Sequence, residues 1–317
     1  MKKLIPALSI SCLIASNAGA AQLLFDPFDY TSGALLAPTD GSAGLYNSTA
    51  NAGAGDNWYY GGASPNTPPG IANSGLNFTD VSAPGYASLL ATTGNSVQYD
   101  TTQNASARIQ LLPTAVNAGT DVGIYYYSYL LKVNTLDNMT VNLNGLFLAS
   151  FNNSAGAAAT QLSQGSALTR LKVDGTDNSK FDLGIAKTTA TGSGLAYSSG
   201  LTVGDTIFVV ASYEFTSGAN SDIVSMWINP DANSFSTGIA PAADLTASSA
   251  SIADQNLLSI ALRNVNTVGN PAFQLDELRV GTTWADVVPV AVPEPASVGV
   301  LGLGLLALFG QYRARRR

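Results

Sequence analysis

The feature that most constrains this chain is the stretch GDTIFVVASYEFT, residues 204–216. Ile207, Val209, Ala211, Tyr213 and Phe215 fall on alternate positions, the two-residue period of a β-strand with a buried face. Similar runs follow one another from residue 121 onward. Residues 122–135 are rich in Tyr, Val and Leu, which favour strands. In residues 140–151 the spacing predicts Val141, Leu143, Phe147 and Phe151 on one face, with Asn142 and Asn144 on the other. Residues 169–186 read as two strands around a polar turn. Residues 222–231 place Val224, Met226 and Ile228 together with Trp227 opposite, and residues 256–265 and 272–281 complete the series. Turn clusters such as Ser217-Gly218-Ala219-Asn220 separate the runs. Residues 22–120 read as short strands joined by long turns. No long internal segment has helical period with caps, and no fixed-period repeat occurs. The fold expected is all-β: a two-sheet antiparallel sandwich of jelly-roll type.

Composition narrows the chemistry. Only 11% of residues are charged, against 46% hydrophobic. There is no histidine, which removes the commonest general base and transition-metal ligand. The single cysteine, Cys12, lies near the N-terminus, so residues 22–292 have no thiol, disulfide or zinc–thiolate chemistry. That segment carries eight basic and twenty acidic residues, a net charge of −12 that disfavours nucleic acid. Catalytic residues are not expected. The segment's two glutamates, Glu214 and Glu277, form no spaced carboxylate pair of the glycosidase kind. On a regular strand the neighbours Asp276 and Glu277 point to opposite faces, and Asp276 and Arg279 are expected partners.

The two ends read as addresses. Lys2 and Lys3, an apolar run over 4–15 and Ala18-Gly19-Ala20 read as a secretory signal peptide over residues 1–20, with cleavage expected after Ala20 or, one residue later, after Ala21. At the other end stand Pro293-Glu294-Pro295, an apolar span over 296–312 and the basic cluster Arg313, Arg315, Arg316 and Arg317. The uncharged run over 296–310 would reach roughly 22 Å as a helix, short of a ~30 Å hydrocarbon core, which suits a transient transmembrane anchor. The arginines would stay cytoplasmic. The prolines hold the segment before the span extended, as a processing enzyme requires. The expected organisation is a sandwich over 21–288 and a sorting tail over 289–317.

This tail resembles the PEP-CTERM sorting signal. The resemblance implies an exported protein of a Gram-negative bacterium, recognition of Pro293, Glu294 and Pro295 by an exosortase at the inner membrane, and delivery to the cell surface or matrix, often among exopolysaccharide. The segments 125–134, 204–231 and 273–287 resemble the laminin-G-like, concanavalin A-like jelly roll of exported bacterial proteins. That family's members often bind carbohydrate, sometimes with calcium, and no binding residue carries over from it. The oxygen-rich stretch DGTDNSKFD offers Asp174, Asp177, Asn178 and Asp182 as calcium ligands, without EF-hand spacing. Asp231 and Asn233 form a weaker set. Trp58, Tyr125, Tyr126 and Tyr127 would stack on sugars in an open groove, but read first as core, as do Trp227 and Trp284. The function expected is a structural or adhesive surface protein, with a calcium-assisted carbohydrate-binding module as the alternative and a polysaccharide-active enzyme behind both.

Overall fold

The computed structural model describes residues 22–37, 44–45, 57–60, 68–86, 89, 92–101, 105–137, 139, 144–155, 165–188, 194–264 and 271–289. Ala20, Ala21, Pro293, Glu294, Pro295 and the terminal arginines lie outside them. Among the described residues, two antiparallel sheets of eight strands each make the molecule. The first runs β14 (Leu245–Ala247), β13 (Ile223–Ile228), β12 (Thr206–Phe215), β6 (Gly123–Thr135), β16 (Ala272–Gly281), β4 (Val97–Tyr99) and β3 (Gly70–Ile71), with β1 (Leu24–Asp26) also paired to β16. The second runs β10 (Leu195–Tyr197), β9 (Lys180–Ala186), β8 (Gly165–Val173), β7 (Leu146–Asn152), β15 (Ser259–Asn264), β5 (Ala105–Gln110) and β2 (Tyr59–Tyr60), with β11 (Leu201–Thr202) also on β9. The expected all-β sandwich is observed. Among the described residues no helix is long and apolar enough to cross a membrane.

The inner faces meet as the alternation predicts. Ile207, Val209, Ala211, Tyr213 and Phe215 of β12 and Val224 and Met226 of β13 share one buried core with Leu171, Leu183, Ile185 and Ile260 of the second sheet. Two tyrosines of β6 also bond across the gap. The Tyr129 hydroxyl donates to Thr169 Oγ1 at 2.7 Å, and the Tyr127 hydroxyl donates to the Ala149 and Ala167 carbonyls. Buried phenols need such acceptors, so these rings fix the sheets against each other as well as filling space.

The first sheet is covered on its outer face too. Tyr126, Leu130, Phe208, Val210 and Trp227 point outward into a second apolar cluster. It is closed by a 3₁₀ turn at Phe78–Asp80, another at Ala232–Thr237 and the short helix α1, Trp284–Val287. Phe208 meets Phe78 edge-on at 5.3 Å, and Trp227 meets Trp284 at 5.1 Å. Asp286 holds α1 in place by accepting from the N–H groups of Thr282 and Thr283 and from Thr283 Oγ1.

Two strands depart from simple alternation. β7 shifts register twice against β8, between Phe147 and Ala149 and again between Ala149 and Phe151. Leu146, Leu148 and Phe151 therefore reach the core, while Phe147 lies on the opposite face beside two arginines. The expectation that Phe147 and Phe151 share a face is corrected, because an irregular residue inverts which face later side chains occupy. Val141 and Leu143 lie outside the described residues. In β16 the register against β6 shifts between Ala272 and Phe273 and again between Asp276 and Arg279, with Glu277 at φ +52°. The core residues there are Leu275, Leu278 and Val280, a three-residue step where a regular strand steps by two.

Candidate functional site

The bulge in β16 gathers carboxylates that are far apart in sequence. Asp26 of β1 lies opposite Leu278. Its Oδ1 accepts from the Phe28 N–H at 2.8 Å, and its Oδ2 accepts from the Trp58 indole at 2.8 Å and the Tyr30 hydroxyl at 2.7 Å. Trp58 is thus a core residue that holds an acid. Asp276 accepts from the Leu76 N–H at 2.7 Å and from the Glu277 N–H at 2.7 Å. Arg279 pairs with Glu277 at 2.8 Å and lies over the Phe25 ring at 4.0 Å. The expected Asp276–Arg279 partnership is therefore replaced by Glu277–Arg279, and the premise of a regular strand for Asp276 and Glu277 fails at the bulge.

All three acids are buried, and burial pushes each of them above the usual carboxylate range. Asp276 is pushed up to about 9, against the lowering effect of its two backbone donors and with further upward push from Glu277 and Asp26. A proton therefore sits on Asp276 at neutral pH. With Asp26 and Asp276 engaged by donors from the surrounding loops, the arrangement joins the N-terminal segment to the last strand.

The residues proposed for calcium are brought together only as a turn. Asp174 Oδ1 accepts from the Thr176 N–H, Thr176 Oγ1 and the Asp177 N–H at 2.7, 2.6 and 3.0 Å. Asp177 accepts from the Ser179 N–H and hydroxyl at 2.9 and 2.6 Å. These donors hold both carboxyls below the usual range, the Thr176 hydroxyl contributing most at Asp174 and the Ser179 hydroxyl at Asp177. Asn178 is exposed in the turn, and Asp182 pairs with Lys172 at 3.2 Å. No group of three or more acidic or thiol side chains placed to hold a metal occurs among the described residues. Asp231 caps the second 3₁₀ turn by accepting from the Asn233 N–H and side-chain amide.

The sequence reading missed the outer face of the second sheet. Arg170 and Lys172 of β8 alternate with the core residues Leu171 and Val173, so both point outward. The Arg170 and Arg263 guanidiniums lie over the same Phe147 ring, at 4.6 and 4.7 Å from its centre. Arg170 also donates to the Asn144 and Thr188 carbonyls. Burial lowers the pKa of both arginines, and at Arg263 the charge of Arg170 adds to the effect. Beside them, Lys172 Nζ lies 4.5 Å from the centre of the Tyr197 ring. That ring rests on Gly184, where an added Cβ would come within 2.4 Å of it. Lys172, Phe147, Tyr197 and Arg263 are partly exposed. The signal that could have found this face is the Arg-x-Lys spacing in a strand whose other positions are apolar.

At one end of the sandwich, an open groove of about 620 Å³ is lined by Leu112, Thr114, Val116, Asp121 and Tyr125 among others. Asp121 accepts from the Asn117 N–H there at 2.7 Å.

Two antiparallel sheets with a shared core define a β-sandwich protein. The chain also carries the PEP-CTERM protein-sorting motif, matched over residues 291–317. That motif implies export and processing by an exosortase. No curated protein matches this chain. Among solved structures, domain 4 of AbnA, a GH43 extracellular arabinanase from Geobacillus stearothermophilus, in complex with arabinotriose, is 14% identical; the match covers 82% of this chain and 96% of that one at a TM-score of 0.36. A Lotus tetragonolobus seed lectin is 11% identical, with 66% and 98% covered and a TM-score of 0.35. The botulinum neurotoxin type G receptor-binding domain is 6% identical at a TM-score of 0.32; the match covers 59% of this chain and spans only 38% of that one. The fold assignment rests on the strand pairings above, and the ligands belong to those proteins.

Proposed function

We propose that this chain is an exported, non-enzymatic protein of the bacterial surface or extracellular matrix. A signal peptide over residues 1–20 starts export, and the tail holds the chain briefly in the inner membrane. An exosortase then recognises Pro293, Glu294 and Pro295 and removes the anchor. The β-sandwich is the cargo, with a structural or adhesive role. The observation that carries this reading is the sorting motif at residues 291–317. The absence of histidine and the engagement of Asp26, Asp276 and Glu277 by local donors support the non-enzymatic part. Contact with exopolysaccharide is assigned to the outer face of the second sheet, where Lys172 and Arg263 lie over aromatic rings.

The test is to recover the protein from producing cells and read its C-terminus by mass spectrometry. Loss of Arg313 to Arg317 from the extracellular form is expected. Replacement of Pro293, Glu294 and Pro295 by alanine should leave the uncut chain in the membrane fraction. Extracellular protein that keeps its terminal arginines would overturn the reading.

A further inference from the structure

Three connections at one end of the sandwich are joined by a single lysine. Lys187 directly follows β9 and is fully buried. Its Nζ lies 2.6 Å from Asp254 Oδ1, and both side chains are shielded from solvent. It also contacts the carbonyls of Asn220 at 2.9 Å and Ser249 at 3.2 Å. Asp254 accepts in turn from the backbone N–H of Ser221 at 3.1 Å and of Asp222 at 3.2 Å. Asp222 is itself fully buried. Its Oδ1 accepts from the Thr216 N–H, its carboxyl faces the Tyr213 hydroxyl, and it is near enough to Lys187 and Asp254 to feel both charges.

This arrangement has the parts of an acyl-transfer site. An amine with two N–H groups directed at carbonyls has its remaining position toward Asp254. Two backbone N–H groups on the Asp254 carboxyl are placed to stabilise an oxyanion on it. A second buried carboxyl, Asp222, stands beside them as the group to carry protons. Burial keeps water out, and holding the reactants in contact replaces a bimolecular encounter. The starting ion pair is costly to bury, and its condensation product carries no charge.

We propose that Lys187 and Asp254 form an intramolecular isopeptide bond. A proton passes from the Lys187 ammonium to the Asp254 carboxylate, and the neutral Nζ attacks Cγ. Asp222 takes the second proton from nitrogen and delivers it to the departing hydroxyl. The C–N bond forms, the C–OH bond breaks and one water leaves, with no oxidant or cofactor. In a body without cysteine, this bond takes the place of a disulfide as a covalent tie.

The purified full chain tests this directly. Its intact mass should fall short of the sequence mass by one water. No Lys or Arg lies between Lys187 and Arg263, so trypsin gives a clear readout. With the bond present, cleavage after Lys187 is blocked and the peptide 181–263 appears, lighter by one water. Stoichiometric free peptide 181–187 and an undiminished mass would overturn the proposal, whatever any variant does. Lys187→Arg keeps a cation at the site and should show the full mass. Asp222→Asn, checked for an unchanged circular dichroism spectrum, should also retain its water. A folded Asp222→Asn chain that still loses its water would remove Asp222 from the mechanism.

Discussion

The two sheets share one core but treat their outer faces in opposite ways. On the first sheet, Phe208, Val210 and Trp227 face outward and are closed over by two 3₁₀ turns and α1. On the second, the outward positions carry Arg170, Lys172 and Arg263 against Phe147 and Tyr197. A strand buried on both faces contributes apolar burial twice, whereas on the second sheet Lys172 and Arg263 stay partly exposed while Arg170 is buried. The first sheet is therefore buried on both faces, and the second leaves partly exposed the charged face to which the proposed polysaccharide contact is assigned.

The sharpest way to break this comparison is to empty the apolar cap. Trp284 is buried against Trp227, Tyr126 and Phe235. Trp284→Ala should cost about 3–5 kcal/mol in urea unfolding, the range for truncating a buried large aromatic. A cost below about 0.5 kcal/mol, the size of an ordinary surface change, would mean that the cap is an ornament on the sheet.

A buried acid at the edge of that cap offers a second, smaller test. Asp276 lies opposite Leu130, which belongs to the outer cluster, and burial raises its pKa to about 9. Its proton is held more tightly in the folded chain than in the unfolded one. Its contribution to stability is therefore full below pH ~4 and is lost as pH rises toward and through about 9. Asp26 and Glu277 are shifted in the same direction. Melting temperature should fall over that window, and Asp276→Asn should flatten the slope. A wild-type melting curve insensitive to pH would show that the acid is ionised in place.

On the second sheet the expected effect is smaller again. Phe147→Leu keeps apolar bulk but removes the ring shared by Arg170 and Arg263. Two partly desolvated cation–π contacts give an expected loss of about 1–2 kcal/mol, measured by urea unfolding. The same variant should weaken retention on the producer's exopolysaccharide, whereas Trp284→Ala, in whatever fraction stays folded, should leave retention unchanged. The reverse pattern would move the recognition face to the first sheet.

These contrasts mark what the sequence reveals and where it falls silent. Strand β12 was legible because its alternation is unbroken, and Trp227 opposite Met226 followed from the same period. The sorting tail was legible because its matched signal is a contiguous linear string. The face of Phe147 was not, since a register shift is decided by the partner strand and leaves no mark in the strand's own composition. Nor was the meeting of Asp26 with Asp276 and Glu277, which needs the first strand to pair with the last. Two- and three-residue strands such as β2, β3 and β4 take their conformation from their neighbours, so residues 22–120 read only as short strands of undefined bounds joined by long turns. Arg170 and Lys172 showed their spacing in plain view. It went unread because charges in a strand look like an ordinary solvated face.

The calcium question sets the smallest expected effect against the same background. If the second sheet recognises its partner through cations and rings, no metal is needed to complete it. One oxygen of each of the two leading candidates already has donors. Asp174 receives two N–H groups and a hydroxyl, and Asp177 receives one of each. A cation would have to displace these short bonds and then compete with Lys172 for Asp182. Millimolar calcium, and a chelator afterwards, should leave the melting temperature unchanged. A rise on adding calcium that is lost in Asp174→Ala would show that the turn opens to receive the ion, and would return the calcium-assisted module as the better account of this sheet.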